Sequence, residues 1–490
     1  MRMLPLHHQS LSLVISFCLS ITFVASFAVS QVQATKSKKP NILLISIDDL
    51  NDWTSSLGGH PQAKTPNIDR LADRGTLFSN AHCQSPVCNP SRASMLTGRH
   101  PHTSGIYFLS PDLKQSPVLE ELDTLPERFA KHGYQTMAAG KIFHTRDKRF
   151  FQEYGGNMGG FGPRPKEKIS QPHGHPLWDW GAFPESDDLM PDFKIAQWAS
   201  TKLKSISVES DKPFFMGVGF YRPHVPMFAP KKWFDLFPRN QIQLPLVNDK
   251  DRNDLSEYAI ALTNENHVSP EHAWIKSAGQ WEHAVQSYLA SVAFADYCLG
   301  IVLDALDQSP HKDNTIVVLF ADHGFHLGEK QRWAKRTIWE DGTRVPLIVV
   351  DNRYSPKQVT SKPAQLLDVF PTLLELANLP SDTLQEGKSL VPLMKDPQAD
   401  WSHIALSSFG KGNFAVRSER YRFIQYLDGS EEFYDHANDP HEWYNLINKK
   451  KLTEVIEQHR KQLPANQADV LPGNSTGHKA YQAASRFVNE

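Results

Sequence analysis

Four cysteines in 490 residues are too few to staple a chain of this length, which excludes a disulfide scaffold. A bias toward one charge is also missing. The 52 Lys and Arg residues nearly balance 54 Asp and Glu, a formal net charge of -2, so bulk electrostatics gives no affinity for nucleic acid or a charged membrane surface. Any preference for an anion must be local. Beyond the N-terminal segment the sequence shows no apolar stretch long enough to span a bilayer, no internal repeat and no low-complexity tract. What remains is a globular composition, 40% hydrophobic and 22% charged, long enough for one large domain and a smaller one.

At the N-terminus, a short polar start with Arg2 leads into an apolar run over residues 11–29, and Val32-Gln33-Ala34 supplies small residues for a signal peptidase. A signal peptide over 1–34, cleaved after Ala34, predicts a secreted or periplasmic protein with no membrane attachment after cleavage. Loss of Cys18 leaves Cys83, Cys88 and Cys298, an odd number, so one thiol lacks a partner in an oxidising compartment.

Downstream, strand and helix patterns alternate. Residues 41–47 form a continuous apolar run between Pro40 and Asp48-Asp49, which predicts a buried parallel strand. Helices are expected at 66–74 and 125–132, each stopped by glycine, and strands at 134–139, 214–220 and 315–321. Tyr288, Val292, Ala295, Leu299, Val302 and Leu306 recur at helical spacing. The alternation predicts an α/β fold, a large mostly parallel sheet sandwiched by helices, over residues 35–400. Residues 155–165 and 223–272 read as long loops. Near 401 the style changes to short aromatic-rich segments with a hairpin-like Asp428-Gly429, which predicts a small antiparallel subdomain over 401–490.

The chemistry gathers at predicted strand ends. Asp48 and Asp49, Lys141, His224, and Asp322 with His323 each follow the carboxyl end of a strand, the edge at which open parallel sheets bind ligands. Three converging carboxylates require a cation, and hard oxygen donors point to Ca²⁺, with Mg²⁺ as the alternative, although His323 is a ligand type more usual for transition metals. The segment Cys88-Asn89-Pro90-Ser91-Arg92 reads as a helix start with Pro90 at the first position. Free backbone N–H groups beside Arg92 suit an anion there. Lys141 and His144, His224 between Pro223 and Pro226, and Lys335 add cations and acid or base groups, the set that sulfuryl or phosphoryl transfer requires.

On these motifs, with Leu96-Thr97-Gly98-Arg99, Gly140-Lys141, Asp322-His323-Gly324 and the C-terminal Glu432-Phe433-Tyr434-Asp435, the chain resembles type I sulfatases of the alkaline phosphatase superfamily. Gly140-Lys141-Ile142-Phe143-His144, Arg222-Pro223-His224-Val225-Pro226 and Trp333-Ala334-Lys335 are similar to the iduronate-2-sulfatase branch, as is His323, where many sulfatases carry Asn. The resemblance implies that a formylglycine-generating or anaerobic sulfatase-maturating enzyme oxidises Cys88 to formylglycine. The hydrated aldehyde then attacks sulfur. It further implies metal binding by Asp48, Asp49, Cys88, Asp322 and His323, and oxyanion contacts from Arg92 and Lys141. His224 or Lys335 would protonate the leaving alcohol, and His144 would act as the base that expels sulfate. The implied partner is a sulfated carbohydrate with a 2-O-sulfated uronic acid, met by Arg222, His326, Arg332 and Trp333, with Trp178 and Trp180 as further stacking surfaces. A phosphodiesterase or phosphonate hydrolase, or an inactive carbohydrate-binding relative, would share much of this pattern.

Overall fold

Seven consecutive residues, Asn41–Ile47, are buried on both faces and form the strand at the heart of the main sheet. The structure, a computed structural model, describes residues 38–145, 147–170, 177–207, 212–264, 268–381, 383–473, 475 and 478–489. The expected signal peptide lies outside the described residues. The main sheet has eight strands, β1 Asn41–Ile47, β2 Thr76–Phe78, β3 Gln135–Gly140, β4 Glu153–Tyr154, β5 Phe214–Phe220, β6 Thr315–Ala321, β7 Leu347–Val350 and β8 Gln358–Thr360, in the order β8, β2, β7, β6, β1, β5, β3, β4. Only β7 runs against its neighbours; the other pairings are parallel. The α/β sheet expected from the alternation is thus present.

Helices cover this sheet. They include α1 Pro66–Ala72, α2 Cys88–Thr97, α3 Leu125–Lys131, α4 Pro191–Ser205 and α5 Trp281–Asp307. The six residues that marked α5 by their spacing are all buried, and the helix packs against α1 and α4. By length and composition α5 could cross a membrane, contrary to the reading that no later segment could. Its burial explains the composition: a helix enclosed by protein needs no polar face.

Residues 39–490 pack as one compact unit. Within it a second sheet, β9 Ala405–Ser408, β10 Phe414–Arg417, β11 Tyr421–Gln425 and β12 Glu431–Asp435, is an antiparallel meander. Gly429, with φ +85°, makes the β11–β12 turn at the Asp-Gly pair. The two sheets are joined through charge. Glu340, just before β7, pairs with Arg417 of β10 at 3.1 Å and with Arg422 of β11.

Candidate active site at the carboxyl edge of the sheet

Strand register brings the predicted groups to one edge. Ile47 is level with Phe220 on one side and Ala321 on the other, and Gly140 with Gly219. Asp48, Lys141 and Asp322 therefore emerge side by side. The turn at Lys141 depends on close backbone approach: Gly140 has φ +79°, and a Cβ there would lie 1.9 Å from the Gly219 carbonyl oxygen.

Asp48 accepts from Lys141 Nζ at 2.8 and 2.6 Å and from Arg92 Nη2 at 3.0 Å. Burial opposes its charge, but Lys141 and Arg92 outweigh burial and hold its carboxyl well below the usual range. Asp49 is different. Its backbone N–H donates to Asp322 Oδ1 at 3.1 Å, and its Oδ1 accepts from Lys335 Nζ at 2.5 Å, yet its buried Oδ2 has no hydrogen-bond partner. Burial, only partly offset by Lys335 and His323, pushes its carboxyl up to about 7. Asp49 also has φ +62°, a conformation Asp tolerates better than most residues, and α5 braces it where Tyr288 Oη donates to its carbonyl at 2.8 Å. The periodicity marked Tyr288 only as core.

Cys88 opens α2, with Val87 as its N-cap. Pro90 is therefore the third helical residue, not the first. The physical argument survives this shift, because N–H groups of the whole first turn lack intrahelical partners, so proline still forfeits nothing. Cys88 Sγ lies 3.2 Å from His323 Nε2 and 3.3 Å from Lys335 Nζ. Burial disfavours a thiolate, but Lys141 and Lys335 outweigh it and draw the thiol well below its ordinary range. Cys83 and Cys298 are buried and also unpaired, so the odd count reflects three free thiols and no disulfide among them. Burial pushes both of those thiols up.

His323 Nδ1 lies 3.0 Å from the Gly324 carbonyl, which fixes the proton there and aims Nε2 inward, 3.4 Å from Asp49 Oδ1 and 3.6 Å from Asp322 Oδ2. Burial lowers its pKa, but Asp322 and its neighbours outweigh that and bring it to about 9. His224 donates from Nδ1 to the Val225 carbonyl at 2.6 Å and turns Nε2 to Asp49 Oδ2 at 3.8 Å. Burial and Lys335 hold His224 well below its ordinary pKa, so it is neutral. Lys335 is the reverse: Asp49 and Cys88 outweigh burial and raise its pKa.

A divalent cation fits this arrangement. Asp48, Cys88, Asp322 and His323 offer ligand atoms within 4.8 Å of one another, as do Asp48, Asp49, Cys88 and His224, and the orphaned Asp49 Oδ2 faces the same centre. A cavity of about 230 Å³ opens over it, lined among others by Asp49, Cys88, Lys141, His144, His224 and Lys335. His144 is half-buried in the cavity wall.

Arg92 does not face the cavity as an anion ligand would. Its guanidinium is consumed by Asp322 Oδ2 at 2.8 Å, Asp48 Oδ1 at 3.0 Å and the carbonyls of Lys141 and Ile142 at 2.6 and 2.9 Å. It is a positioning residue that clamps two carboxylates. The four expected sugar contacts also lie outside the cavity wall. Arg222 donates to the carbonyls of Phe228, His224 and Phe161, which stiffens the loop bearing His224. His326 bonds Thr337 Oγ1 at 2.6 Å, Trp333 donates to His272 Nδ1 at 3.2 Å, and Arg332 is buried. Trp180 donates to Gln280 Oε1 at 3.2 Å. Arg222, Trp333 and Trp180 spend their donors within the protein. Trp178 does line the cavity, joined by Phe161 and Arg336. Sequence reasoning passed over Arg336, although its place next to Lys335 was a signal.

Known proteins share this architecture. Residues 40–379 match the family described as Sulfatase, and residues 328–469 match N-sulphoglucosamine sulphohydrolase, C-terminal. A sulfatase of Formosa agariphila is 41% identical over 446 residues, 88% of this chain and 87% of that one. The iduronate 2-sulfatase of Mus musculus is 32% identical, covering 68% of this chain and 62% of its own. A solved 2-O GAG sulfatase superposes with a TM-score of 0.66 at 25% identity, over 92% of this chain and 96% of that one. Shared sequence over residues 40–379, with Cys88, carboxylates and lysines gathered at one sheet edge, places this chain in the sulfatase family, whose members hydrolyse sulfate esters.

Proposed function

We propose that this sulfatase is exported and removes 2-O-sulfate from uronic-acid residues of a sulfated polysaccharide or oligosaccharide. Residue 88 would act as formylglycine made from Cys88, beside Ca²⁺. The observation that carries the reading is Lys335 Nζ, which donates both to Asp49 Oδ1 at 2.5 Å and to Cys88 Sγ at 3.3 Å, so nucleophile, carboxylate and ammonium share one point. Similarity to the mouse iduronate 2-sulfatase and to the 2-O GAG sulfatase supports the substrate class. A maturation enzyme would recognise the segment from Cys88 through Arg92, and the signal segment supports export.

Asp48, Asp49, Asp322 and His323 would hold the cation, which supplies Lewis-acid charge to the nucleophile and the sulfate oxygens. The protein's own groups divide the remaining work. Lys141 and Lys335 place two ammonium charges at the wall over residue 88, where sulfate oxygens carry negative charge. Neutral His224, with Nδ1 committed to Val225, presents Nε2 as a proton acceptor. Lys335 remains as the donor toward the leaving alcohol. His144, in the wall, would serve the second proton transfer.

The test pairs defined 2-O-sulfated disaccharides with 6-O-sulfated and phosphorylated counterparts, after co-expression with a maturation enzyme, and reads the mass of the residue 88 peptide. Preferred sulfate release from the 2-O ester and loss of the thiol mass are expected. Greater turnover of the phosphate ester, or full activity with an intact Cys88 thiol, would overturn the reading.

A further inference from the structure

A second cluster of metal-type donors lies outside the site at Cys88. His326, Glu329 and Asp341 each bring one ligand atom to within 4.8 Å of the others. Glu329 and Asp341 line a cavity of about 820 Å³ that shares no lining residue with the cavity over Cys88. His326 is fully buried. Its Nε2 lies 2.6 Å from Thr337 Oγ1, while Nδ1 has no hydrogen-bond partner and stands 3.7 Å from Asp341 Oδ2. With the proton on Nε2, shared with Thr337, Nδ1 presents a lone pair, the arrangement that fixes a metal-binding imidazole.

Charge points the same way. Burial with Glu329, Asp52, Glu442 and Glu340 pushes the Asp341 carboxyl well above its usual range, and burial brings Glu329 to about 7. Three nearby cations are committed elsewhere: Arg344 to Asp52 at 3.0 Å, Lys330 to Asp251 at 2.8 Å and Arg417 to Glu340 at 3.1 Å.

We propose that His326 Nδ1 and the carboxylates of Glu329 and Asp341 bind a second divalent cation, of the Zn²⁺ class, separate from the cation at Cys88. One imidazole and two carboxylates form a three-ligand protein set for zinc, and the cavity leaves room for water as the fourth ligand. An all-oxygen cation such as Ca²⁺ is a poorer match to the nitrogen. Glu329 and Asp341 bracket Lys335 from six residues on either side. The ion therefore ties together both ends of the segment that carries Lys335.

The experiment uses the full chain carrying Cys88→Ala and His323→Ala, so that the first site lacks its thiol and imidazole. After dialysis against chelator and saturation with Ca²⁺, Zn²⁺ is titrated by calorimetry. One Zn²⁺ per chain is expected, with affinity at least tenfold weaker when Asp341→Asn or Glu329→Gln is added. Co²⁺ in the same site should show visible absorption that His326→Ala removes. Should His326→Ala fail to fold, the half-buried Asp341 carries the test, with thermal unfolding as the check on folding. No Zn²⁺ binding, or binding unchanged by both carboxamide substitutions, overturns the proposal and leaves the two carboxyls as protonated neighbours.

Discussion

Around Cys88, the buried carboxylates of Asp48, Asp49 and Asp322 meet Arg92, Lys141 and Lys335; around Glu340, the buried carboxylates of Glu340 and Glu442 meet Arg417, Arg422 and His436. Residue types and burial are alike, yet two carboxyls move in opposite directions. Burial favours the neutral acid in both, but Arg422 and His436, the latter at 3.0 Å, draw Glu442 down to about 2. Asp49 faces weaker compensation and rises to about 7. Two arginines pair with the Glu340 knot, which becomes a rivet between the two sheets. At Cys88 the single fork of Arg92 is spent on Asp48 and Asp322, and Asp49 Oδ2 is left without a partner. An unsatisfied carboxylate oxygen in a cavity wall has capacity for a ligand.

The comparison breaks first at Cys88. Cys88→Ala is expected to lower sulfate release by on the order of 10⁴- to 10⁶-fold while circular dichroism and thermal unfolding stay unchanged. Loss of fold would mean that the centre is structural after all. Lys335→Ala should cost about 10²- to 10⁴-fold, and more for alkyl than for aryl sulfates, because a good leaving group needs no proton. Equal losses on both esters would remove Lys335 from proton transfer.

At the knot the expected effects are on stability. Glu442→Ala leaves Arg422 buried with less compensation and should lower unfolding free energy by about 3–5 kcal/mol in urea titrations, with turnover per folded molecule retained. Glu442→Gln sharpens the same point through pH. Its folded pKa of about 2 lies below the ordinary 4.5, so the ionised carboxylate stabilises the native state above about 4.5, and that stability is lost as pH falls toward 2. The gap between wild type and Glu442→Gln in urea midpoint should therefore be widest near neutrality and shrink below pH 4.5; a gap constant with pH would refute the linkage. Cys298→Ala is the smallest change. It removes a buried thiol far in sequence from the centre, and should cost roughly 1 kcal/mol with sulfate release unaltered.

The long strands were legible because both of their faces are buried. At 41–47, 214–220 and 315–321 the apolar runs end abruptly, and the structure ends those strands at the same residues. Short strands such as Thr76–Phe78 and Gln358–Thr360 were not visible, since three residues carry no period and owe their pairing to neighbours distant in sequence. Asp48, Lys141, His224 and Asp322 were legible as residues that follow strands. The true task of Arg92 was not. A guanidinium beside an anion site and one clamped between two carboxylates read alike in sequence; its partners, Asp48, Lys141 and Asp322, lie 44, 49 and 230 positions away.

The sequence by itself determined the chemistry: a cysteine at a helix start, acids, lysines and histidines after apolar strands, and motifs that match one family. Tertiary structure alone decided which of these groups stay reactive. Hydrogen-bond capacity is finite, and only the packed fold shows where it has been used. Arg222, Trp333 and Arg92 are committed inside the protein, whereas Asp49 Oδ2 and His326 Nδ1 are left unpaired.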